Sequence, residues 1–309
     1  LASKRNNPAD YARTRLETLK DQELYRTLKR AVANGPTVTV EGKEVIHLCS
    51  NDYLGLSRDP RVVQQMKDAI KSVSQCSSRL IAGNHPVLLE LEQKLAEHRK
   101  TQAALVYPTG YGANLGLVSS IADENSTIFS DELNHASIID ACRLSGATVR
   151  VFDHNSISQL ARLMRQTRGR KIVITEGVFS VDGDFSRLKE ICEIAREHGA
   201  ITVVDDAHGD FVFGPDFSGV PAMLKVSADI HISSMSKALG CFGGYVASSR
   251  AIRELLINTS RQFIYTSALP DHLCAAAISA IPLAKRGHLQ TKLQKNIHRF
   301  RESMEDVGF

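Results

Sequence analysis

The sequence predicts an α/β protein, a mostly parallel sheet with helices on both faces. Three observations carry that expectation. Between Ala103 and Ala247, short β-branched runs alternate with helical stretches. Those stretches carry one apolar stripe each, as at Ile157, Leu160, Ala161 and Met164 and again at Leu188, Ile191, Cys192 and Ala195. That is the spacing of a helix that lays one face on a sheet. Finally, glycine, aspartate, histidine and lysine collect just past the strands, where open α/β sheets bind their ligands.

Taken in order, residues 9–33 read as a charged amphipathic helix, stopped by Asn34-Gly35-Pro36. Residues 37–40 and 45–48 flank Glu41-Gly42-Lys43 as a small hairpin. A polar-aromatic loop follows over 49–57. Asp59-Pro60 opens a helix through Ile70, with proline in the first turn. Pro86 opens another, to about Lys100. The strand 103–107 runs into a glycine-rich turn, 109–114, and a helix. Strand 127–130 precedes helix 136–145, strand 148–152 precedes helix 157–166, and strand 171–175 precedes helix 187–198. Strands 201–204 and 230–233 follow, and 245–247 is expected to close the sheet. Residues 275–284 form an apolar helix interrupted by Pro282, and 290–306 a polar amphipathic one. The expected division is 1–48 as N-terminal helix and hairpin, 49–280 as the large domain, and 281–309 as the start of a small C-terminal domain.

The chain of 309 residues is long enough for such a pair of domains. Its 43% hydrophobic and 23% charged residues suit a soluble globular protein. A net charge of +4 is too small to argue for nucleic acid, though it tolerates an anionic ligand. The six cysteines are scattered without a C-x-x-C. That speaks against a zinc knuckle or a disulfide framework and for a reducing, cytoplasmic setting. No apolar run approaches the roughly 20 residues of a membrane helix, and no signal-peptide pattern is present.

The strand ends carry the chemistry. Thr109-Gly110-Tyr111-Gly112 opens a helix, so backbone N–H groups and the positive helix end suit a phosphate. The glycine spacing is not that of a dinucleotide fingerprint, and a plain capping turn would look the same. His135 sits at a helix start, where a capping or surface residue is ordinary; on this edge its flat ring could stack on an aromatic cofactor. Within Glu176 to Asp184, Ser180 could donate to a cofactor oxygen, and Asp182 and Asp184 read as polar loop. Asp205 ends an apolar strand, with His208 three residues on. A carboxylate there can keep a heterocyclic nitrogen protonated, and the histidine can donate to a phenolic oxygen; a metal is the alternative, without further ligands in the usual spacing. Lys237 is the only lysine between Lys225 and Lys285. Alone it reads as a surface lysine. With Ser234 and Ser236 to hold a phosphate, and with the residues before it, it becomes the amine of a Schiff base. Phosphate cradle, stacking ring, ring-nitrogen carboxylate, phenolate partner and lysine together point to pyridoxal 5′-phosphate and to no metal.

These motifs bear a resemblance. S-N-D-Y-L-G-L-S, S-R-L-I-A-G-N-H-P, G-Y-G-A-N-L-G, D-E-L-N-H-A-S-I-I-D-A-C-R-L-S-G-A, T-E-G-V-F-S-V-D-G-D, V-V-D-D-A-H-G, S-M-S-K-A-L-G and Y-T-S-A-L-P resemble the α-oxoamine synthases. These are fold-type I pyridoxal-phosphate transferases that condense an amino acid with an acyl thioester and release CO₂. The resemblance implies that Lys237 holds the cofactor and later moves the Cα proton, Asp205 pairs with the ring nitrogen, and His208 and Ser180 bind the phenolic oxygen. It implies that His135 stacks on the ring and borders the substrate, and that Gly110, Tyr111 and Ser234 hold the phosphate. Thr266 would reach the partner subunit's phosphate in a homodimer with interfacial active sites. Arg26 and Asn51 would contact the substrate. Asn51-Asp52-Tyr53 and Asp206-Ala207-His208 look most like the branch that joins L-alanine to a pimeloyl thioester in biotin synthesis; a glycine-using branch is the alternative. Three departures stand out. Val73 to Ser78 lacks the family's glycines. Asp210-Phe211-Val212 replaces T-G-V. The small domain, with a second carboxylate-binding arginine, is expected to continue past Phe309. Two other readings remain: a nicotinamide oxidoreductase built on residues 109–116, and a catalytically silent partner subunit.

Overall fold

The central strands are runs of β-branched residues buried on both sides, as a sheet covered on both faces requires. The computed structural model describes residues 7–308, which fall into two units that divide after Ser50.

The first unit holds α1 (Pro8–Asp21) and an antiparallel sheet of β1 (Ala31–Asn34), β2 (Thr37–Val40) and β3 (Lys43–Ile46). The helix expected over 9–33 therefore ends at Asp21, and its last residues form a strand. Glu23 takes a left-handed φ of 57°, which breaks the helix. The turn at Gly35 lets Ala31 to Asn34 pair with Val40 to Thr37. Cross-strand bonding there satisfies the backbone that local periodicity assigned to a helix.

The second unit begins with α2 (Pro60–Asp68), α3 (Pro86–Arg99), β4 (Ala103–Tyr107), α4 (Gly110–Ile121) and β5 (Ser126–Asp131). It continues with α5 (Ala136–Leu144), β6 (Thr148–Phe152), α6 (Ile157–Arg165), β7 (Arg170–Glu176), α7 (Leu188–Glu197) and β8 (Ile201–Asp205). It ends with α8 (Val220–Met223), β9 (Ile230–Ser234), β10 (Gly244–Ser248), α9 (Arg250–Thr259), α10 (Arg261–Ile264), α11 (Asp271–Ala284) and α12 (His288–Glu305). The sheet order is β4-β10-β9-β8-β7-β5-β6. Strands β6, β5, β7, β8 and β9 are mutually parallel, and β10 runs antiparallel to both β9 and β4. Strand β10, expected to close the sheet, lies second from its edge. The short turn from β9 allows only an antiparallel neighbour, and β4 then adds to its free side. Helices α9 and α10 were not anticipated, and Pro282 sits within the last turn of α11 without breaking it.

Alternation along each strand builds the two cores. Leu105, Ile128, Ile174, Val203, Ile232 and Val246 pack with Leu117, Ile138 and Leu256 on one face. On the other face, Val106, Tyr245 and Ala247 meet Leu91, Leu95, Ala277 and Ile281, while Phe129 and Val173 meet Leu160, Met164 and Ile191. Because β4 opposes β10 and β10 opposes β9, β4 points the same way as the parallel strands. The carboxyl ends of β4, β5, β7, β8 and β9 thus share one rim.

Candidate active site

That rim encloses a cavity of about 210 Å³, lined by Gly110, Tyr111, His135, Glu176, Asp205, Ser234 and Lys237, among others. Each arrives at a strand end or at the helix start that follows.

Lys237 stands on the turn after β9. The turn folds back tightly: Gly240 takes φ 61°, and a Cβ there would lie 2.3 Å from the Ser57 backbone nitrogen. Only glycine fits such an approach. Lys237 Nζ lies 2.7 Å from His208 Nε2. Burial lowers the pKa of the lysine, against the opposing charges of Asp205 and Glu176. Burial, with the Lys237 charge beside it, pushes His208 down to about 4, so the imidazole is neutral.

Asp205 ends β8 and is fixed as an acceptor. Its Oδ2 takes a bond from Asn114 Nδ2 at 2.7 Å and its Oδ1 one from the Ala207 amide at 3.0 Å. Across the ladder its register partner is Glu176. Glu176 is buried and accepts from the His135 amide at 2.6 Å. Burial first and the Asp205 charge second raise its pKa to about 8. His135 caps α5 and is locked by Ser137, whose Oγ lies 2.7 Å from its Nδ1.

At the other end of the cavity, α4 begins at Gly110 with Thr109 as its cap, accepting from the Gly112 amide at 2.9 Å. A Cβ on Gly244 would meet Gly110 N at 2.4 Å, and one on Gly110 would crowd Ser234. Ser234 and Ser236 share a hydroxyl bond of 2.7 Å. Helix start and hydroxyls form an anion cradle.

The fold thus brings Lys237, Asp205, His135, Gly110, Tyr111 and Ser234 around one cavity, with His208 bonded to Lys237. Other predicted contacts lie elsewhere. Ser180 is exposed on the turn after β7, because its neighbour Phe179 takes the inward position and is 1% exposed. Thr266 borders a separate small crevice with Arg79 and Tyr107. Asn51 accepts a bond from Tyr53 Oη at 3.2 Å. Arg26 is exposed in the first unit, between α1 and β1. Sequence reasoning missed Glu176, Asn114 and Tyr53. Sequence alone assigns Glu176 no role of its own; the one signal for it is that it directly follows an apolar strand, as Asp205 does. The glycine-rich turn expected over 109–114 includes Asn114, but it lies four residues past Gly110 on α4 and so reaches Asp205. Among the described residues, no group of three or more His, Cys, Asp and Glu could hold a metal ion, and no helix is long and apolar enough to cross a membrane.

Sheet, rim and cavity define a fold-type I pyridoxal-phosphate transferase. The chain belongs to the aminotransferase class I and II family, whose profile matches residues 43–309, and within it to the α-oxoamine synthases. It is 40% identical to the 8-amino-7-oxononanoate synthase of Thermoanaerobacter pseudethanolicus, over 97% of this chain and 78% of that one. It is also 40% identical to the enzyme of that name from Geobacter metallireducens, over 95% and 78%. A solved serine palmitoyltransferase from S. paucimobilis, with a bound PLP–myriocin aldimine, superposes with a TM-score of 0.89 at 30% identity, over 97% of this chain and 80% of that one.

Pyridoxal 5′-phosphate is the cofactor of this family, and the residues fit it. Two carboxylates face one amine, and the strained ionisation of Glu176 marks a site short of positive charge, which a protonated ring would supply. Asn114 Oδ1 and Ser233 Oγ are buried at the cavity without a protein partner. The glycine-lined helix start suits the phosphate.

Proposed function

We propose that the chain catalyses the decarboxylative condensation of L-alanine with pimeloyl-CoA, giving 8-amino-7-oxononanoate for biotin synthesis. The observation that carries this reading is the join of the two lines above: the Lys237–His208 pair facing Asp205, in a chain 40% identical to 8-amino-7-oxononanoate synthases.

When bound, the cofactor supplies an aldehyde that joins primary amines and a protonated ring that draws electrons from the substrate Cα. The chain's residues do the rest. Lys237, its pKa lowered by burial, gives up its proton more readily than an exposed lysine, which suits it to exchange with the substrate amine and then to take the Cα proton at Nζ. Asp205, held in place by Asn114 and the Ala207 amide, would pair with the ring nitrogen and favour a proton there. His208 would bind the phenolic oxygen, and Gly110, Tyr111 and Ser234 the phosphate. His135, locked by Ser137, would cover the ring and border the substrate, with Arg26 and Asn51 as further substrate contacts. Ser180 would need the exposed turn after β7 to move inward. The protein would act as a cytoplasmic homodimer, with Thr266 reaching the partner's phosphate.

Release of free coenzyme A thiol tests the reading, with alanine, glycine and serine each offered against pimeloyl-, acetyl- and palmitoyl-CoA. Alanine with pimeloyl-CoA should be turned over fastest. Serine with palmitoyl-CoA winning would move the chain toward its structural neighbour, glycine with acetyl-CoA toward the glycine-using branch. No release from cofactor-loaded protein would make it a silent subunit. The visible absorbance of the loaded protein should vanish in Lys237→Ala; wild-type protein that takes up no cofactor would sink the whole proposal.

A further inference from the structure

Tyr53 sits in a hydrogen-bonded chain that ends on Lys237. Its Oη lies 2.6 Å from His208 Nδ1, and His208 Nε2 lies 2.7 Å from Lys237 Nζ. At the outer end Tyr53 Oη is 3.2 Å from Asn51 Oδ1, on an exposed residue. The donor inventory orients every link. An ammonium only donates, an amide carbonyl only accepts, a neutral imidazole carries one N–H, and a phenol does both. With Lys237 protonated, His208 Nε2 must accept. Its proton is then on Nδ1 and is donated to Tyr53, whose own O–H turns to Asn51. With Lys237 neutral the chain can run the other way: Tyr53 donates to Nδ1, and Nε2–H points at the lysine.

We propose that Tyr53 is a positioning residue that lets His208 exchange tautomers in place and so sets the protonation of Lys237. The exchange balances. As Lys237 gives a proton to Nε2, Nδ1 gives its proton to Tyr53, and Tyr53 gives its own to solvent beside Asn51. One bond to hydrogen forms for each that breaks, and no electron changes centre. A residue that cannot both donate and accept would leave one of the two states with a half-buried orphan. The other charges facing Lys237 and His208 are Asp205 on β8, Glu176 on β7 and His135 at the start of α5. None of them touches His208 Nδ1 in a hydrogen bond, so the tautomer is left to Tyr53. The inference rests on Lys237 being the reacting amine, but its test does not need the cofactor.

The test is nitrogen NMR on cofactor-free, histidine-labelled protein, with His208 assigned through His208→Gln. Beside it runs the pH dependence of Lys237 acylation by an amine reagent, mapped by mass spectrometry. In the wild type, above about pH 4, where the ring has lost its second proton, His208 should carry its proton on Nδ1 and move toward Nε2–H as Lys237 deprotonates. In Tyr53→Phe the Nδ1–H of the protonated-lysine state has no acceptor, so that state is weakened and Nε2–H should appear at lower pH than in the wild type. Weakening the protonated-lysine state lowers the lysine pKa, and acylation near neutral pH should rise by about threefold, the effect of half a pKa unit. If Tyr53→Phe does not fold, 3-fluorotyrosine at position 53, a poorer acceptor of the same shape, should move both readouts the same way. An unchanged tautomer and acylation rate in the folded variant would overturn the proposal. A failure of the Lys237→Ala absorbance test would instead remove the catalytic reading and leave the tautomer result standing.

Discussion

Asp205 and Asp206 are consecutive, 6% and 0% exposed, and serve opposite sides of the β8 end. Asp205 looks into the cavity, where its bonds come from an amide side chain and a backbone N–H. Asp206 looks away, into a network in which the carboxylates are matched by a directly bonded guanidinium, as Asp205 and Glu176 are not. Arg99 Nη1 lies 2.9 Å from Asp206, 3.0 Å from Asp210 and 3.0 Å from the Ser218 carbonyl, and its Nη2 is 2.8 Å from His231. Asp210 also meets His98 at 2.9 Å and accepts from Tyr245. Burial works against the Asp210 carboxylate, but Arg99 and His98 outweigh it and hold the group well below its usual range. Burial raises Asp206 to about 7 despite Arg99. A Cβ on Gly219 would come within 1.7 Å of Asp206, so glycine is required there. The contrast teaches that burial alone does not mark a site. The matched network holds the segment after β8 in place. Asp205 and Glu176, with no cation bonded to them among the described residues, would suit a cationic ring.

The largest effect should come from the matched side. Arg99→Leu leaves two buried carboxylates facing no guanidinium and should cost about 3–5 kcal/mol in urea unfolding; a near-normal midpoint would mean that the network is not matched as described. On the cavity side, Asp205→Asn should leave unfolding within about 1 kcal/mol of wild type. It should weaken cofactor retention by about 100-fold, read by equilibrium dialysis, which is near 2.7 kcal/mol. Equal losses of stability in the two variants would erase the contrast. Tyr245→Phe removes one bond to a charged group and should cost about 2 kcal/mol by urea unfolding, with cofactor retention unchanged.

The smallest effect should be a slope. The folded pKa of Glu176, about 8, lies above its ordinary 4.5. Between those values the folded state binds the extra proton, so this group's stabilisation is complete below about 4.5 and is lost as pH rises through about 8. Glu176→Gln should flatten the fall of Tm in cofactor-free protein over that window. His208 acts the other way and only below 6.5, and Asp206 shares the direction of Glu176, so the difference between wild type and variant isolates the glutamate. Parallel melting curves for the two proteins would show that Glu176 is ionised in the folded state.

Much of this was open to reading in the chain. Alternation of strands and helices is local, because periods of 2 and 3.6 repeat within one element. The rule that ligands gather past the strands then picked out Gly110, His135, Asp205, Ser234 and Lys237 one strand at a time. Asp210-Phe211, an unexplained departure in the sequence, acquires its reason only in three dimensions. Asp210 completes the Arg99 network. Phe211, with a left-handed φ of 61° where the family's pattern has glycine, stacks on His98 at 3.8 Å and 4°, a contact that offsets the backbone strain.

The α/β class, the rim on which chemistry would sit and the residue types waiting there can all be read from neighbouring residues. The end of the N-terminal helix at Asp21, the pairing of Glu176 with Asp205 across the ladder, the turn of Asp206 toward Arg99 and the meeting of Tyr53 with His208 across 155 residues of chain arise only in the folded molecule. The reason is physical. Helix and strand periods are written in neighbouring residues. The charge a carboxylate meets is set by segments that approach one another only after the sheet has formed.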